Sequence, residues 1–96
     1  MSVWVAKVPT ESASRYLQQL AKHWSHKMTV VFTAEAATID FPNGCRLELG
    51  AAPDILHVSL TVAETEDAER MQEVVARHLD RFAFREAPLR FDWALS

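Results

Sequence analysis

The sequence predicts an α+β domain: a single antiparallel sheet with two helices packed on one face. Three observations lead there. Two segments repeat apolar residues at spacings of three and four, the period of a helix that buries one side. Between them, four strand-like segments follow one another through short turns, the kind of linkage that joins antiparallel neighbours. The 96 residues, 49% hydrophobic and 24% charged, supply one core and therefore one domain, residues 1–96. Two amphipathic helices must cover an apolar surface, and one face of a sheet provides it; a closed barrel would leave them little to pack against.

The elements follow in the order β-α-β-β-β-β-α-β. Val3 to Val8 is rich in β-formers and ends at Pro9, a first strand. Thr10 or Ser12 then caps a helix by accepting a bond from a free backbone N–H. Ala13, Tyr16, Leu17, Leu20, Ala21 and Trp24 form its buried stripe, and it is expected to run from residue 11 to residue 27. Strands follow at Val30 to Thr33, Thr38 to Phe41 and Cys45 to Leu49.

The turn "FPNGC" fixes a register. A two-residue Asn43-Gly44 loop would set Ile39 opposite Glu48 and mix apolar with charged residues on each face. A three-residue Pro42-Asn43-Gly44 loop pairs Phe41 with Cys45 and Ile39 with Leu47, with Pro42 opening a type I turn and Gly44 left-handed after it. Cys45 then faces inward as a small buried hydrophobe.

Leu56, Val58, Leu60 and Val62 alternate with His57, Ser59 and Thr61, a strand with one buried and one wet face. Thr65 is expected to cap the second helix, with Glu66 and Asp67 at its positive end. Ala68, Met71, Val75, His78, Leu79 and Phe82 make its stripe, and it ends near "FAFREAP". Leu89, Phe91, Trp93 and Leu95 alternate with Arg90 and Asp92, a closing strand.

Chemistry has few candidate seats. His23 and His26 lie one helical turn apart, His23 at the margin of the stripe and His26 further towards water. Zinc takes three or four protein ligands, and this end of the helix offers no carboxylate, no H-E-x-x-H and no paired cysteines. His78 sits inside the second stripe, where a buried imidazole needs a partner such as a backbone carbonyl, the Tyr16 hydroxyl or a trapped water. A crevice between the helices would bring it towards His23. Arg77 and Arg81, one turn apart, can grip a carboxylate or phosphate. Arg15, Lys22 and His26, with Lys27 at the edge, make an exposed basic side that suits an acidic partner. Ser12, Ser14 and Ser59 lack a nucleophile elbow or a local base, and Gly44 and Gly50 are turn glycines, not a phosphate cradle.

The net charge of −3 argues against nucleic acid, and it is uneven: residues 1–33 carry +3 and residues 34–96 carry −6. No apolar run is long enough to span a bilayer, and the start "MSVWVAKVPT" has no secretory pattern. The single cysteine, Cys45, fits a reducing cytoplasm.

Taken together, "SRYLQQLAKHWSHK" (Ser14–Lys27), "FPNGCRLEL" (Phe41–Leu49), "VVARHLDRFAFRE" (Val74–Glu86) and the tryptophan of the closing strand resemble the small bacterial domain of unknown function numbered 2218. Relatives of that domain are joined to siderophore-interacting flavoproteins, so the resemblance implies a link to iron or siderophore handling. This chain has no flavin- or nicotinamide-binding segment of its own. The residues in the matching motifs are His23, His26, Cys45, His78, Arg81 and Arg85.

The sequence thus leads to a cytoplasmic, non-catalytic binding or accessory module. Its ligand residues are expected to be His23, His78, Arg81 and Arg85, and its partner an acidic protein or an anionic small molecule. The cofactor and the oligomeric state stay open. A competing reading is a metal-binding protein using His23, His26 and His78 with Cys45. A third is a small enzyme with His78 as acid or base, which lacks a nucleophile or cofactor motif.

Overall fold

The structure, a computed structural model, describes residues 1–96. Its elements are β1 (Ser2–Pro9), α1 (Ala13–Trp24), β2 (Thr29–Phe32), β3 (Ala36–Asp40), β4 (Arg46–Ala51), β5 (Ile55–Val62), α2 (Ala68–Phe82) and β6 (Ala94–Leu95). The six strands form one antiparallel sheet in the order β2-β3-β4-β5-β1-β6.

That order places both helices on the same face. Antiparallel neighbours alternate in direction, so β1 runs parallel to β2, and β5 parallel to β6. Each helix is a crossover between parallel strands. The α1 crossover moves towards one edge, and the α2 crossover moves towards the other on strands of opposite direction. With the right-handed sense such crossovers adopt, both helices land on one side. Their stripes and the inner face of the sheet merge into one core of 23 buried hydrophobic residues. Leu17, Leu20, Leu47, Leu56, Leu60 and Leu79 are completely enclosed in it, each stabilising the fold by about 1.5–3 kcal/mol.

The hairpin register is the one its turn chemistry dictates. Phe41 N–H donates to the Cys45 carbonyl, Ile39 pairs with Leu47, and Gly44 adopts φ +90°. Cys45 is buried, with its sulfur accepting a bond from the Ala63 N–H at 3.4 Å. The opposite face of the sheet carries no helix; Thr38, Arg46, Glu48, His57, Ser59 and Lys7 make most of it polar, with Val5 and Val31 exposed towards its two sides.

Four expectations need correction. First, α1 stops at Trp24, not residue 27: Ser25 Oγ donates to the Lys22 carbonyl, and the N–H groups of Lys27 and Met28 both turn back to Trp24 O. Helix α1 also begins at Ala13, because Thr10 Oγ1 accepts from Ser12 N–H and holds a turn ahead of it; Ser12 makes no side-chain cap bond. Second, the cap of α2 is Asp67, whose carboxylate accepts from Arg70 N–H; Thr65 lies in the preceding turn, which the Glu66 N–H to Ala63 O bond closes. Third, the closing strand is two residues long. Leu89 N–H is drawn to Asp80 Oδ1 at 2.8 Å, and the Phe91 and Trp93 rings stack on one another, so the alternation there reflects packing and not ladder pairing. Fourth, His78 lies at the margin of the α2 stripe, half-buried, while Met71, Val75 and Leu79 fill its centre.

Candidate functional site

Two helices side by side on one face create a seam, and the aromatic and basic residues at their margins meet there. His23 of α1 and His78 of α2 approach to 5.8 Å between ring centroids. The Trp24 ring lies 4.9 Å from His78, and Phe82 meets His23 edge-on at 5.8 Å. Trp24 is held in turn by Phe41, edge-on at 5.0 Å, so the buried hairpin end supports the seam from below.

His78 is oriented by its own helix. Its Nδ1 lies 2.6 Å from the Val74 carbonyl, one turn back. A neutral ring therefore donates from Nδ1 and leaves Nε2 as the outward nitrogen. On one side of His78 opens a hollow of about 420 Å³ lined by Val74, Arg77, His78 and Arg81. On the other, a hollow of about 430 Å³ is framed by Trp24, Phe41, Met71 and Arg70 together with the acids Glu66 and Asp67.

The electrostatics of the seam run one way. His23 is held below the ordinary imidazole value of 6.5, first by burial and then by the positive fields of His78, Arg81, Lys27 and His26. Arg81 makes no ion pair, and Arg77 reaches Glu73 only at 4.0 Å on the exposed side of its helix. Carboxylates stand at the seam's borders: Glu73 lies beside Arg77, and Glu66 and Asp67 line the hollow on the other side of His78.

The other expected ligands disperse. Because α1 ends at Trp24, His26 lies in the turn after it and lines an exposed hollow with Lys27, Asp40 and Pro42, apart from the hollow of His78 and Arg81. Arg85 lies beyond α2, with its guanidinium 5.8 Å over the Phe84 ring, and lines a different hollow with Thr10, Arg15 and Asp54. Cys45 is enclosed in the core. The metal set His23, His26, His78 and Cys45 does not assemble, and nowhere do three or more His, Cys, Asp or Glu side chains gather to hold an ion.

A second polar cluster went unread in the sequence. Glu86, in the segment after α2, receives hydrogen bonds on the same carboxylate oxygen from the Tyr16 hydroxyl and, at 3.0 Å, from the Thr10 hydroxyl. Tyr16 and Thr10 are each 5% exposed. The bond to Glu86, then burial, then the Glu86 charge raise the Tyr16 phenol above its ordinary 10.0. A buried tyrosine in a helix stripe signals that some acceptor must exist; nothing local identifies one 70 residues away.

A roomier hollow of about 560 Å³ lies on the helix-free face between Val5, Lys7, His57, Ser59 and Asp92. It pairs a base with an acid and gathers a single imidazole, so the seam remains the better-formed cluster.

Residues 5–94 match the family described as "Uncharacterized protein conserved in bacteria (DUF2218)", and the chain belongs to that family. It is also similar to PA4090 from Pseudomonas aeruginosa, known from an NMR structure: the two are 39% identical, the match covers 98% of this chain and 96% of that one, and the TM-score is 0.79. No curated protein matches the chain. No helix is long and apolar enough to cross a membrane.

Proposed function

We propose that this domain is a non-catalytic binding module that takes an anionic small molecule at the seam between α1 and α2. The observation that carries this reading is that His23 packs against His78, which shares an open hollow with Arg77 and Arg81, with no acidic group among the charges acting on His23. Arg77 and Arg81 would grip a carboxylate, catecholate or phosphate as a guanidinium pair. Trp24 packs against His78 from the side of the neighbouring hollow, so its ring sits next to the proposed site. His23 is the adjustable element: an anion bound beside it would raise its pKa, so binding would take up a proton and tighten as pH falls from 7 towards 6.

The ligand class we favour is an anionic ferric chelate of the siderophore type. Its support is the charge complementarity of the seam together with the family resemblance, and the iron would arrive inside the chelate and need no protein ligands. The test is a titration with ferric citrate, a ferric catecholate, and the same chelators without iron, followed by tryptophan fluorescence. Saturable quenching by a ferric chelate, weakened about tenfold in Arg81→Ala and by added salt, is the expected outcome. Equal binding of the iron-free anions keeps the anion module and removes the iron link. A flat response across the whole panel overturns the seam as a binding site.

A further inference from the structure

A hollow of about 560 Å³ opens at the start of α1, where three stretches far apart in sequence meet. Thr10 ties them together: its N–H donates to the Asp54 carbonyl at 3.1 Å, and its hydroxyl donates to Glu86 Oε2 at 3.0 Å. The Tyr16 hydroxyl donates to the same oxygen. Glu86 is thereby held on one oxygen by two residues that are each 5% exposed, while its Oε1 takes no hydrogen bond and no ion pair. The lining carries two guanidiniums, Arg15 and Arg85, and three carboxylates, Glu11, Asp54 and Glu86. None of the five pairs with another, although both signs of charge border the same space.

We infer that this hollow binds a small zwitterion of the amino-acid class, its ammonium on Glu86 Oε1 and Asp54 and its carboxylate on Arg15 and Arg85. A guanidinium presents two parallel N–H donors to the two oxygens of a carboxylate. An ammonium is bound with less ordering cost by a carboxylate whose orientation is already set, as the Thr10 and Tyr16 hydroxyls set that of Glu86. A plain anion would meet three carboxylates here, and a plain cation two guanidiniums. A ligand carrying both signs answers both and leaves the charge of the site unchanged. One of the nine lining residues is hydrophobic, so the hollow favours small members of the class over those with long apolar side chains. The site is separate from the helix seam and independent of the anion proposed there.

Amide proton–nitrogen NMR spectra of the intact chain, titrated with L-alanine, dialanine, acetate and methylammonium, test the inference. Saturable shifts at the amides of Ser12, Arg15, Tyr16 and Glu86 are expected with alanine or dialanine, the tighter of the two reporting the spacing of the charges. Acetate or methylammonium alone should bind about tenfold more weakly. Glu86→Gln keeps an acceptor for the two hydroxyls and removes the charge, and Asp54→Asn lies outside the clamp; each should weaken the zwitterion about three- to tenfold. Circular dichroism checks that both fold, and Asp54→Asn carries the test if Glu86→Gln does not. No shift at tens of millimolar overturns the inference. So do acetate binding as tightly as alanine, shifts confined to the seam, or an affinity that either folded acid variant leaves unchanged.

Discussion

The same pair of helices supports two polar clusters that differ in one respect. At the start of α1, two half-buried hydroxyls converge on Glu86, a carboxylate the chain itself supplies. At the seam, His78, Arg77 and Arg81 line an open hollow that has no carboxylate in its own lining, and the nearest acids, Glu73 and the Glu66–Asp67 pair, stand at its borders. The hollow near Glu86 is also lined by Arg15, Arg85 and Asp54, so both signs of charge are present there. A polar cluster that satisfies itself contributes to stability. A cluster that leaves its charge uncompensated costs stability through mutual repulsion, and an external anion would relieve that cost.

Removing the internal carboxylate should separate the two most clearly. Glu86→Ala removes the carboxylate acceptor of the Tyr16 and Thr10 hydroxyls, which line an open hollow where water can take its place, a loss of about 1–2 kcal/mol. Glu86→Gln keeps an acceptor oxygen and should lose less. Urea unfolding measures both, and an unchanged midpoint in Glu86→Ala would show that the clamp is not structural.

The pH dependence should then split by cluster. Tyr16 has a raised folded-state pKa, so the stability it contributes is intact below pH 10 and is lost as pH rises through and above that value. Tyr16→Phe should flatten this alkaline limb. The folded-state pKa of His23 is lowered, so its linkage acts on the other side: stability is fully present above 6.5 and falls as pH drops below it, where the unfolded chain takes up a proton more readily. His23→Gln should flatten that acid limb. Thermal melts from pH 5 to 11 read both.

The smallest effect on folding is expected at the seam's open rim. Arg81 is exposed and unpaired, so Arg81→Ala should leave stability within about 0.5 kcal/mol of the parent, or raise it slightly by easing repulsion. Its ligand affinity should fall all the same. A strongly destabilised Arg81→Ala would mean that the seam is part of the scaffold, and the contrast between the clusters would collapse.

Much of this architecture was legible in the chain. The stripe Ala13-Tyr16-Leu17-Leu20-Ala21-Trp24 is buried as its spacing requires. Pro42-Asn43-Gly44 set the hairpin register and turned Cys45 inward. Of the expected ligands, His23, His78 and Arg81 meet, because residues at the margins of two stripes on one face must border the same seam. Arg85 and His26 do not, because each lies just past a helix end, where direction is no longer set by helical period.

Period, turn chemistry and strand alternation act over a few residues, so the sequence by itself determined the element order, most of the core and the hairpin register. The tertiary structure decided where α1 ends, how little of the last segment pairs as a strand, which acid reaches Tyr16 and which bases lack one. Those outcomes depend on loops and helix ends settling against distant partners, as Glu86 does against Tyr16 across 70 residues, and no local pattern encodes a contact of that kind.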